Sequence, residues 1–173
     1  MNSESPAKLQ TTLSAYLDSI EEQLKDGLSK IQHCLKQLTD EQVWWRPADE
    51  MNSIANLLLH LSGNLRQWFI SGLKASPDLR QRQLEFDDRS RRSPQILLDL
   101  LAGTIQESCD VLQEQSWEDL LSKRHVQEFD FNGFQTIADS LCHFRGHVQE
   151  IIHMTRVQKG EDYEFAFVPV RPD

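Results

Sequence analysis

Apolar residues at Leu9, Leu13, Tyr16, Leu17, Ile20, Leu24, Leu28, Ile31, Leu35 and Leu38 recur mostly in steps of three and four, which returns them to one face of an α-helix. Ser5 as N-cap and Pro6 at the first helical position open this long amphipathic helix. The pattern breaks in TDEQVWWRPADEMN, where Pro47 biases Arg46 away from helix. It resumes after Asn52 or Ser53 as a second helix to about Leu73. The polar connection SPDLRQRQLEFDDRSRR follows, and Ser93 with Pro94 then starts a third helix to about Gln115. Between Trp117 and Gly133, the alternation in HVQEFDF followed by Asn132-Gly133 predicts a short strand or an extended loop with a tight turn. Thr136 with Asp139 three residues on reads as a capping box for a fourth helix, which Gly160 ends. Pro169 and Pro172 forbid a continuing helix, so residues 161–173 are expected to be extended, as are residues 1–6 ahead of the first helix. The sum is an all-α four-helix bundle with a short extended segment before the last long helix, in a single domain over residues 1–173.

Composition narrows the partners. A net charge of −9 leaves no excess of Lys and Arg to neutralise phosphates, which argues against nucleic acid. Cys34, Cys109 and Cys142 are odd in number and widely spaced, without CxxC, so neither a disulfide framework nor a thiolate zinc site is expected. The N-terminal stretch is polar, and no apolar run reaches the length that spans a bilayer. A cytoplasmic protein with reduced cysteines and no membrane partner fits these features.

The candidate chemistry lies in histidines. His143 and His147 are four residues apart on the fourth helix, and a spacing of four puts two imidazoles on one face. His60 interrupts the apolar run IANLLLHLSGN on the second helix. All three sit on the flanks of their apolar stripes, at seams between helices, where they could meet in one polar pocket. Alone, the pair also fits two half-exposed polar residues, and His60 a satisfied core histidine. His33, His125 and His153 read as solvent histidines. Glu150, one turn beyond His147, projects over the same face as a fourth ligand, a supporting partner or a proton acceptor. Phe144 stands where a zincin-type metalloprotease needs its glutamate, which argues against that chemistry. Trp44 and Trp45 read as core or staple aromatics. Arg80, Arg82, Arg89, Arg91 and Arg92 alternate with Glu85, Asp87 and Asp88 and read as a solvated mixed-charge loop.

The passages LTDEQVWWRPADEMNSIANLLLHLSGNLRQW and HFRGHVQEI resemble the Trp-x-Pro, Ser-Ile, histidine and His-x-x-x-His-x-x-Gln-Ile motifs of the DinB/YfiT-like superfamily. The resemblance implies a four-helix bundle whose metal ligands are His60, His143 and His147. Glu150 departs from the family's usual Gln. It further implies a divalent ion, zinc or nickel foremost, activating water or a small thiol for hydrolysis or transfer. The expected partner is then a small-molecule substrate, with a low-molecular-weight thiol as one candidate; a homodimer is one option for the assembly. A non-catalytic bundle used for dimerisation or ligand sensing is the alternative.

Overall fold

Side-chain caps set where five of the helices begin. The computed structural model describes residues 6–167. The first helix, α1, spans Pro6–Leu35; the Ser5 cap and the tail prolines Pro169 and Pro172 lie outside the described residues. Thr39 caps a short α2, Asp40–Trp44, reciprocally with Gln42. Ser53 and Asn56 form the same kind of box at α3, Ile54–Leu65, which widens into a π-helical stretch over Arg66–Gly72. A six-residue α4, Arg82–Asp87, precedes α5, Pro94–Gln113, whose cap is Ser93. Then come α6, Trp117–Leu121, and the antiparallel pair β1, Lys123–Val126, and β2, Phe129–Asn132, with Lys123 opposite Asn132. The last long helix, α7, runs from Gly133 to Lys159 and passes into a 3-10 turn at Gly160–Asp162.

Several sequence expectations need correction. Pro6 already begins α1, and Glu161 and Asp162 sit in the 3-10 turn rather than in an extended tail. The cap of α7 is Asn132, paired with Gln135, and Thr136 lies inside the helix with its hydroxyl donating to the Asn132 carbonyl. Asn132 is therefore not a turn residue. The hairpin turns at Gln127 and Glu128, where Gln127 takes φ +55°. The polar connection between α3 and α5 is not a featureless loop, because it contains α4. The interruption after α1 also holds a helix, the short α2.

The long helices close a ring in which α1 touches α5 and α7, and α3, at the opposite corner, touches the same two. Leu13, Leu17, Leu24 and Ile31 of α1 meet Leu97, Leu101, Ile105 and Leu112 of α5 and Ile137, Phe144, Val148 and Ile151 of α7 in one buried core. Gly27 lets α1 approach α7 closely, since a Cβ there would overlap the Phe144 ring. Helix α3 differs from its neighbours. Apart from Gly63, every residue from Ile54 to Leu65 is buried, the mark of a helix enclosed on all sides. Besides α5 and α7, the covering elements are α4 and the short α2. The polar residues of α3 are thereby enclosed too, and each needs a partner. Among the described residues no helix is long and apolar enough to cross a membrane.

Candidate metal centre

His60 hangs from α3 and His143 and His147 from α7, and the packing of those two helices brings the three rings together. One ligand atom from each lies within 4.8 Å of the other two. The His60 and His143 Nε2 atoms are 2.8 Å apart, and the His143 and His147 ring centroids are 4.5 Å apart with their planes nearly perpendicular. His60 is buried, while the other two are half-exposed. The cluster therefore has a closed side within α3 and an open side along α7. One turn further along both helices, Ser140 Oγ donates to Asn64 Oδ1 at 2.9 Å, which ties α7 to α3 beside the rings.

Burial disfavours the charged form of two of the rings. Burial, with repulsion from His147, His60, Arg80 and Arg82, pushes the His143 pKa down to about 4. Burial also lowers His60; the hydrogen bond to Glu85 opposes this, and the Arg80 charge reinforces it. Two bare Nε2 lone pairs 2.8 Å apart would repel, so the contact needs either a proton on one nitrogen or a cation between them. Imidazoles converging from two helices with one side open are a donor set that suits a divalent first-row ion such as zinc or nickel.

Carboxylates stand behind two of the rings. Glu150 Oε2 accepts from His147 Nδ1 at 2.7 Å, and Glu85 Oε2 lies 3.0 Å from His60 Nδ1. Glu85 is gripped in turn by Arg80, whose Nε and Nη2 each donate to one carboxylate oxygen at 2.7 Å. Burial alone would raise the Glu85 pKa, but hydrogen bonds from Arg80 and His60 and their charges outweigh it and hold the carboxyl below its ordinary range.

The family model for DUF1572, described as a protein of unknown function, matches residues 11–171. The chain belongs to the DUF1572 family. No curated protein matches it. Its fold is DinB-like. YfiT from Bacillus subtilis aligns over 91% of this chain and 93% of its own at TM-score 0.69 and 15% identity, and is described as a probable metal-dependent hydrolase with an unusual four-helix bundle topology. A DinB-like protein from Bacillus cereus aligns over 82% of this chain and 91% of its own at TM-score 0.65 and 14% identity. The DinB-like YjoA of Bacillus subtilis covers 85% and 96% at TM-score 0.64 and 12% identity.

The remaining candidates of this DUF1572 protein fall outside the cluster. His125 is exposed and pairs with Asp130, and His153 is exposed. His33 is half-buried rather than solvated, with Nε2 2.7 Å from the Glu164 carbonyl oxygen. Trp44 donates Nε1 to the Arg92 carbonyl and, with Trp45, Asp40, Glu41 and Arg91, lines a separate depression of about 460 Å³. All three cysteines are free; burial pushes the Cys109 thiol up to about 11 and raises Cys34, leaving only Cys142 exposed.

Glu85 and Arg80 are the pair that composition hid. The reading of that segment as solvated charge is overturned for Arg80, whose side chain is only 5% exposed. A signal was nonetheless present. Asn56, His60, Gly63 and Gln67 follow one another at spacings of four, three and four, so one face of the helix lacks apolar side chains and calls for a polar cover, without pointing to Glu85 in particular.

Proposed function

We propose that this protein binds one divalent ion, zinc or nickel, through His60, His143 and His147 and uses it to activate water or a small thiol for hydrolysis or group transfer. The observation that carries the reading is the convergence of three histidine ligand atoms within 4.8 Å, two of them on rings whose pKa is depressed. The description of YfiT as a probable metal-dependent hydrolase points the same way. A divalent ion held there would supply Lewis acidity, lowering the pKa of a bound water toward about 7 or stabilising a deprotonated thiol.

The protein's own groups divide the remaining work. His60, closed in by α3 and α4, is the anchored donor, while His143 and His147 border the side from which a substrate enters. Glu150 accepts the His147 Nδ1 proton and so leaves Nε2 as that ring's donor atom. With one oxygen engaged this way, Glu150 is better placed to support His147 and take up a proton than to replace a ligand.

Titration of tag-free, metal-stripped protein with zinc and nickel tests the reading, with His143→Ala as comparison. Saturation at one ion per chain, lost or loosened severalfold in the variant, is the expected result. Ester hydrolysis or thiol conjugation that disappears on chelation and returns with metal would establish the activity. Equal binding by both proteins would refute the site.

A further inference from the structure

We propose that Glu85 and Arg80 are positioning residues for His60, fixing which imidazole nitrogen faces the metal site. The proposal rests on the metal-binding reading above, but its geometry stands independently of any ion. It begins with the polar stripe of α3, because four, three and four are the intervals that keep Asn56, His60, Gly63 and Gln67 on one helical face. Helix α4 is fastened over that face. Asn56 Nδ2 donates to the carbonyl oxygens of Glu85 at 2.8 Å and Asp88 at 3.2 Å, pinning the α4 backbone one turn from His60. Gly63 leaves the space for the charged pair, since a Cβ there would overlap the Glu85 carboxyl group and come within 2.9 Å of Arg80 Nε.

The pair is held from both ends. Arg80 grips both Glu85 oxygens in a bidentate fork, the arrangement in which a guanidinium orients a carboxylate most firmly. Its Nη1 donates to Gln67 Oε1 at 2.8 Å. Gln67 is fixed in turn: Gln127 Nε2 donates to the same oxygen at 2.5 Å, and Gln67 Nε2 donates to Asp78. The chain of contacts thus runs from the tip of the hairpin to the buried imidazole. Phe86 covers the His60 ring at a centroid distance of 4.8 Å, and the Arg82 guanidinium lies over Phe86.

This arrangement assigns the His60 tautomer. Arg80 Nη2 also lies 3.0 Å from His60 Nδ1, which would favour a proton on Nε2 if the guanidinium were the donor. A carboxylate, however, can only accept, and Arg80 already directs hydrogens to Glu85 at the shorter 2.7 Å. The Nδ1 proton therefore belongs between His60 and Glu85, and the Nε2 lone pair faces His143. Stability is a weak account of such a pair, because the desolvation of the Arg80 and Glu85 side chains, 5% and 12% exposed, offsets most of their attraction. A role at His60 accounts for it better, since carboxylates behind ligating histidines fix the ring and raise its donor strength.

The test combines zinc affinity, measured by competition with a chelating dye, with nitrogen NMR of the histidine rings in the metal-free protein. Glu85→Ala should weaken zinc binding by about 10- to 100-fold. Glu85→Gln keeps an acceptor oxygen for Nδ1 and should lose less. Arg80→Lys keeps the charge but not the fork and should also weaken zinc. In a His60→Ala background, Glu85→Ala should add no further loss, which a merely structural role would not produce. Metal-free wild-type protein should hold His60 with its proton on Nδ1, and Glu85→Ala should shift that population. Wild-type zinc affinity in both Glu85 variants, or an Nε2-protonated His60 in the wild type, would overturn the proposal. Should the wild type bind no zinc, the metal reading fails by itself and the tautomer measurement still decides this one.

Discussion

At the scale of single residues, the three histidines were legible because each carries its own signal: a spacing of four on one helix, and a polar interruption of an apolar run on another. Glu85 was not legible. It lies 25 residues from His60 in sequence, among arginines and aspartates whose composition matches solvated chain, and only the packing of α4 on α3 reveals the contact. The depressed His143 pKa gives a pH prediction for the metal-free protein. Its value of about 4, below the ordinary 6.5, means that between those limits the unfolded chain binds a proton that the native state does not. Stability present above about pH 6.5 is therefore lost progressively as the pH falls toward about 4, and burial moves His60 in the same direction. Urea midpoints at pH 7 and pH 5 should drop in the wild type and drop less in His143→Ala. An identical fall in both would show that His143 does not set the slope.

At the scale of elements, the long helices were readable because their stripes and caps agree, as with Ser53 at α3 and Ser93 with Pro94 at α5. The start of α7 was misplaced because Thr136 and Asp139 mimic a capping box one turn inside the true one. Asn132→Ala should cost about 0.5–2 kcal/mol of unfolding free energy, whereas Asp139→Ala, on the exposed face, should stay within about 0.5 kcal/mol. The reverse order in denaturant unfolding would restore the sequence-based boundary. Helix α4 escaped notice because none of its residues is buried, so it has no apolar stripe to read; what holds it is the set of polar bonds from Asn56 and Arg80. Gly63→Ala should therefore displace α4 and weaken metal binding without unfolding the bundle. Faster amide exchange confined to residues near 82–88 would confirm this, and unchanged exchange there would contradict it.

At the scale of the whole molecule, one contiguous core joins all four long helices without help from the histidine cluster, so folding should not depend on an ion at that cluster. Metal-stripped protein should keep its helical circular dichroism and unfold cooperatively, with added metal raising stability only by mass action. Collapse of the helical signal on chelation would instead mark a structural site. The ring of helices, with α1 and α3 at opposite corners, is what allows a buried helix to present His60 to the half-exposed pair on α7. The most direct test of that arrangement is the metal content of tag-free protein after exposure to equimolar zinc or nickel and gel filtration. The expected result is close to one ion per chain in the wild type and none in the His60→Ala, His143→Ala, His147→Ala triple variant. Equal metal in the two proteins, or none in either, would contradict the account.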